Sequence, residues 1–188
     1  MTTEPETPAE LLDQTLGDAR RDKQTVTSEG ASIAPLLHGM SIHRSPTHTD
    51  DRGTLTEILD PRWEWHPDPI TYLYYITERA GHAKGWALHK EHEDRYFLIR
   101  GEVELVLYDV RPDSPTLGQI CKIALSDRDH FIVNIPIHVW HASRTLGQDD
   151  AIIINMPTKL YDHANPDKYR LPLDTPLIPY SFGDTPGW

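Results

Sequence analysis

The sequence predicts an all-β, antiparallel jelly-roll barrel behind a mostly polar N-terminal arm, on three observations. Short runs rich in Val, Ile, Tyr and Phe recur from the first third of the chain to Met156. Gly, Pro, Asp and Asn punctuate them at short intervals, as in antiparallel sheets joined by turns. No helical periodicity separates them, which argues against a sheet wound through helices.

The elements follow in chain order. Residues 1–30 form the arm, rich in Glu, Asp, Thr and Pro. Within it Pro8-Ala9-Glu10-Leu11-Leu12 opens a short helix expected to run to about Lys23, with acidic residues near its positive end. Leu11, Leu12 and Leu16 are too few for a core, so this is an arm or a segment docked on a partner. Residues 31–188 form the barrel domain. Ile58, Ile70–Ile76, Tyr96–Ile99, Val103–Tyr108, Ile120–Leu125, Phe131–Ile135 and Ala151–Met156 are its strand candidates. Two of these meet at Gly101. The stretch from Tyr161 to Trp188 carries five prolines and reads as ordered coil laid across the barrel.

Composition limits the function. The 188 residues suit one domain with a tail, and the net charge of −11 repels phosphate backbones and anionic bilayers. Nucleic acid and membranes are therefore excluded as general partners; a nucleotide-linked substrate needs a local cluster of Arg and Lys. Cys121 is the single cysteine, which rules out an intramolecular disulfide and a thiolate zinc site. No apolar run reaches the ~18 residues that span a bilayer. The acidic start, Met1-Thr2-Thr3-Glu4, lacks the pattern of a secretion signal, so the cytoplasm is the expected compartment.

Eleven histidines invite a metal hypothesis, and position decides among them. His38, His43 and His48 fall in the polar entry segment and read as surface residues. His89 shares a strand face with Ala87, while Asp94, Tyr96 and Leu98 share the face marked apolar by Tyr96 and Leu98. Pro136-Ile137-His138-Val139-Trp140-His141 adds a His five residues after a Pro. These two stretches resemble the paired motifs of the cupins, with Asp94 in the usual Glu position and Ala87 in place of the first His. His89, Asp94 and His141 then make a two-His, one-carboxylate set suited to one divalent Fe, Mn or Zn ion. The same side chains also fit a metal-free polar pocket of acids and bases.

A narrower resemblance is to the dTDP-4-dehydrorhamnose 3,5-epimerases. It rests on Asp51-Arg52-Gly53-Thr54-Leu55-Thr56-Glu57, on Lys84-Gly85, and on Gly101 to Arg111 followed by Ser114-Pro115-Thr116-Leu117-Gly118. The pieces keep their order over about two thirds of the chain. The resemblance implies an isomerase acting on a nucleotide-linked 4-keto sugar by proton transfer, and a homodimer paired through the N-terminal segment. It also implies that the family's base falls on Ala87, its Lys on Asp94 and its Tyr near Ile154. The active site is thus non-standard, with His89 as a relocated base and His141 or Tyr96 as acid.

Arg52 and Lys84 are the diphosphate candidates that the resemblance implies. Arg95 and Arg100 read instead as solvated strand residues. Trp86 and Trp140, each beside a pocket position, are candidates for stacking on the substrate. Three functions stay open: the sugar epimerase, a metal-dependent cupin enzyme on a small polar substrate, and a non-catalytic carbohydrate-binding cupin.

Overall fold

The computed structural model describes residues 7–30 and 32–187. Their contacts divide them into two units, one up to Pro35 and one from Leu36 onward. In the first, helix α1 spans Pro8–Asp18, with Thr7 capping the Glu10 amide and Pro8 in the first turn. It stops short of the expected Lys23 because Ala19 turns extended and Arg20-Arg21-Asp22-Lys23 offers no apolar face to extend. The helix buries no residue, and Leu11, Leu12 and Leu16 are exposed.

The second unit holds twelve strands. They are β1 (Ser41–Arg44), β2 (Thr47–Asp50), β3 (Gly53–Thr56), β4 (Tyr74–Glu78), β5 (Ala83–Leu88) and β6 (Asp94–Arg100). The rest are β7 (Glu102–Asp109), β8 (Ile120–Ser126), β9 (Phe131–Ile135), β10 (Val139–Thr145), β11 (Ala151–Asn155) and β12 (Tyr169–Arg170). One five-stranded sheet runs β1-β9-β6-β11-β4 and the other β12-β5-β10-β7-β8, with β2-β3 as a separate ribbon. All pairings between these strands are antiparallel. This is the all-β jelly-roll architecture that the strand spacing predicts. Among the described residues no helix is long and apolar enough to cross a membrane.

The core lies between the sheets, where Tyr96 and Leu98 of β6 meet Leu105 and Leu107 of β7, Val133 of β9 and Ile153 of β11. Alternation would leave the other faces wet, yet both are partly covered. Ile178 and Phe182 of the Pro-rich tail pack with Trp86, Val106 and Ala142 on the outer face of the second sheet. Ile58 and Trp65 pack with Phe97, Ile132 and Met156 on the outer face of the first. That double cover explains why β9 is buried at every position. It also corrects two strand assignments. Ile58 is coil held by packing, and the strand expected over 70–76 begins only at Tyr74, after Pro67 and Pro69.

Two devices fix the turns. Gly101 takes φ +89° where β6 passes to β7, and a Cβ there would stand 3.1 Å from Ala151 Cα. Asp109, fully buried, accepts from Arg111 Nε (2.9 Å), Ser114 Oγ (2.6 Å) and Thr116 Oγ1 (2.6 Å), locking the β7–β8 connection. The Asp-x-Arg…Ser-x-Thr pattern is therefore structural, and these donors, against the cost of burial, keep the Asp109 carboxyl well below the usual range.

Candidate active site

Asp94 opens β6 with its side chain turned into the barrel, 2% exposed. His89 lies just past the end of β5, and His141 lies on β10 in register with Ala87. His89 Nε2 is 3.2 Å and His141 Nε2 3.4 Å from Asp94 Oδ2. The three predicted residues thus converge. The structure adds partners that the sequence did not indicate. Asn155 Nδ2 donates to Asp94 Oδ1 at 2.8 Å and to the Tyr74 hydroxyl at 2.8 Å, and His92 Nε2 is 3.6 Å from Asp94 Oδ1. Asp167, from the coil before β12, accepts from the Lys90 and Glu91 amides and pairs with His92 Nδ1 at 2.9 Å.

The outer nitrogens of both site histidines face backbone oxygens. His89 Nδ1 bonds the Asp167 carbonyl, and His141 Nδ1 lies 3.2 Å from the Val139 carbonyl. A carbonyl accepts only, so both Nδ1 atoms carry hydrogen and both Nε2 atoms turn to Asp94. Burial opposes charge on Asp94, but hydrogen bonds from His141, His89 and His92 hold its carboxyl well below the usual range. Burial also disfavours charged His89, yet the Asp94 bond and charge outweigh it and raise this imidazole's pKa. At His141 burial prevails, and its pKa falls.

Tyr96 stands edge-on to His141, ring centroids 6.0 Å apart. Burial and the Asp94 charge push its pKa well above that of a free phenol, so it keeps its proton. Tyr96 and His141 line a cavity of about 470 Å³ between the sheets. Its wall also carries Glu78, Lys84, Lys168 and Arg170. The exposed cations Lys84, Lys168 and Arg170 surround the same space as Glu78, Tyr96 and His141, while His89 and Asp94 lie behind His141, outside the cavity lining.

Four predicted residues fall elsewhere. Trp86 is wholly buried on the outer face of its sheet, against Tyr180 and Phe182. Trp140 is partly buried with the same outer cluster. Each is the sequence neighbour of an inward residue, Ala87 or His141, and the pleat turns adjacent side chains to opposite faces. Neither stacks over the site. Arg52 sits at the β2–β3 turn, paired with Asp50 and largely exposed, and its own chain does not bring it to the cavity. Arg95 is not solvated. It is 1% exposed, its guanidinium donating to the carbonyls of Met156 (2.7 Å), Asp68 (2.7 Å), Pro69 (3.0 Å) and Pro157 (3.4 Å).

The model of the dTDP-4-dehydrorhamnose 3,5-epimerase family matches residues 36–177. The probable low-salt glycan biosynthesis epimerase Agl13 of Haloferax volcanii is 31% identical over 141 residues, which cover 74% of this chain and 90% of that protein. Among solved structures, a dTDP sugar isomerase from Desulfovibrio desulfuricans G20 superposes with a TM-score of 0.73 at 23% identity, over 81% of this chain and 98% of that one. ChmJ, a 3′-monoepimerase from Streptomyces bikiniensis solved with dTDP-quinovose, gives 0.68 at 21% identity, over 81% and 79%.

Proposed function

The chain belongs to the dTDP-4-dehydrorhamnose 3,5-epimerase family, and from that premise we propose that it inverts a carbon beside the ketone of a nucleotide-linked 4-keto sugar. One observation carries the reading: the buried groups Glu78, Tyr96 and His141 and the exposed cations Lys84, Lys168 and Arg170 line a single cavity in the barrel. Epimerisation beside a ketone needs a proton removed and returned, and a donor for the oxygen that becomes negative. His141 and His89, coupled through Asp94, supply proton-transfer capacity. The un-ionised Tyr96 hydroxyl supplies the donor. Lys84, Lys168 and Arg170 attract the diphosphate, the local cation cluster that an acidic protein needs for such a ligand. Ala87 offers no base, so the chemistry runs through groups other than the family's usual one. The test is solvent deuterium incorporation into a dTDP-linked 4-keto-6-deoxy sugar, followed by mass spectrometry. Incorporation is expected, and its absence, whether or not dTDP binds, overturns the reading.

A second reading is favoured by the histidine geometry. His89 Nε2, His141 Nε2 and Asp94 Oδ2 stand 3.2 and 3.4 Å apart across the carboxylate, close to the spacing of neighbouring ligands about 2.1 Å from one ion. Both Nδ1 atoms are held by backbone carbonyls, the outer support that ligating histidines use. These residues fit a divalent Fe, Mn or Zn ion, which would act there as a Lewis acid toward a substrate oxygen. The cytoplasm remains the compartment we propose, and a homodimer the assembly.

A further inference from the structure

Glu78 is a buried acid in the cavity wall that no motif indicated. Strand β4 alternates Tyr74, Ile76 and Glu78 onto one face, and Glu78, facing Ala151 of β11, is 1% exposed. Its Oε2 accepts from the Ser143 hydroxyl at 2.6 Å. Its Oε1 is equally buried and has no hydrogen-bond partner. The nearby Thr145 amide is committed to the His82 carbonyl at 3.1 Å. A desolvated carboxyl oxygen with a vacant lone pair is costly to keep, and its place in the wall of a ligand-sized cavity gives it a reason to persist.

We propose that Glu78 is the carboxyl that exchanges a proton with the carbon beside the substrate's ketone. The inference rests on the epimerase reading above. Oε1 takes the hydrogen as a proton, the C–H electron pair becomes the C=C bond of an enolate, and the carbonyl oxygen takes the negative charge. Water entering from the other side of the cavity delivers a proton to the opposite face of that carbon, which restores the ketone with inverted configuration and leaves hydroxide. Glu78 then yields its proton to that hydroxide, so the cycle closes without a further reactant.

The electrostatics fit this role. Burial pushes the Glu78 carboxyl up to about 7, against the pull of the Ser143 hydroxyl, Lys84 and the Thr145 backbone. Around it stand Lys84 from β5, Tyr96 from β6, His141 from β10, and Lys168 and Arg170 from the C-terminal segment, with Arg79 and His82 beside it along the chain. A base that titrates near neutrality balances ionisation against basicity in this chemistry.

The experiment uses the full chain and a dTDP-linked 4-keto-6-deoxyglucose in deuterated buffer across pH 5–9. The wild type should exchange with a rate that rises through an inflection near pH 7. Glu78→Gln should lose about 100-fold or more of that rate while its dTDP affinity, by calorimetry, stays unchanged. Ser143→Ala, which removes the donor to Oε2, should keep exchange but move the inflection upward. A Glu78→Gln variant that exchanges near the wild-type rate overturns the inference alone, as does an inflection that Ser143→Ala leaves in place. A wild type that binds dTDP but exchanges no keto sugar overturns the epimerase reading and this inference with it.

Discussion

His141 Nε2 lies 3.4 Å from Asp94 Oδ2, so a contact between two side chains joins β10 of one sheet to β6 of the other across the barrel. Asp94 therefore links the two sheets and reaches the cavity through His141. Asn155 of β11 completes its environment from the first sheet.

If the two Nε2 atoms and Asp94 hold a divalent ion, protein purified without chelator should contain about one metal per chain by elemental analysis. His141→Ala should remove it, since two remaining ligands hold a labile ion poorly. The barrel should survive, because sheet packing and not one ligand stabilises it. Protein free of metal that still exchanges deuterium would end the metal reading.

Glu78 should make stability fall as pH rises. Its folded pKa, about 7, lies above the ordinary carboxyl value of 4.5, so folding favours the protonated form. Its contribution is fully present below the unfolded pKa and is lost as pH climbs from there through about 7. Glu78→Gln should accordingly raise Tm more at pH 8 than at pH 4.5. A scanning-fluorimetry series with no pH-dependent difference between variant and wild type would contradict this.

Arg95→Ala should destabilise the barrel by about 3–5 kcal/mol, because the substitution strands carbonyls that the guanidinium satisfies at depth. Arg95→Lys should rescue little of this, as a single ammonium cannot reproduce the planar fork. Urea unfolding followed by tryptophan fluorescence measures both.

Gly101→Ala should cost about 1–3 kcal/mol, combining positive φ with a Cβ 3.1 Å from Ala151 Cα and 3.3 Å from the Asp150 carbonyl. The same urea titration gives the value, with an unchanged slope expected.

Light scattering at micromolar concentration should report about twice the 21.5 kDa of one chain. Deleting residues 1–30 should shift it toward the monomer if Leu11, Leu12 and Leu16 contribute to pairing. A 21.5 kDa species alone in the full-length protein would refute the dimer.

Period-two patterning and turn residues determined the barrel from the sequence alone, since a strand face must be apolar wherever it meets the core and Gly101 must be glycine where φ is positive. They also determined that Asp94, Tyr96 and Leu98 turn inward together, and the two motifs set His89 and His141 beside them. The same alternation, carried past Ile76, lands on Glu78, so that residue was within reach of the pattern once the strand end was known.

Tertiary structure alone decided the rest. Trp86 and Trp140 lie beside pocket positions in sequence yet face away, because the outer surface of their sheet is covered by the Pro-rich tail, which no strand period reports. Arg95 has the polarity of a surface residue, but carbonyls from residues 68–69 and 156–157 meet around it only after folding. Asp167 and His92 reach the site from coil, where spacing carries no directional information. Charge and pattern select a fold through the average burial of each face; the partner of a particular buried polar atom depends on segments brought together from far along the chain.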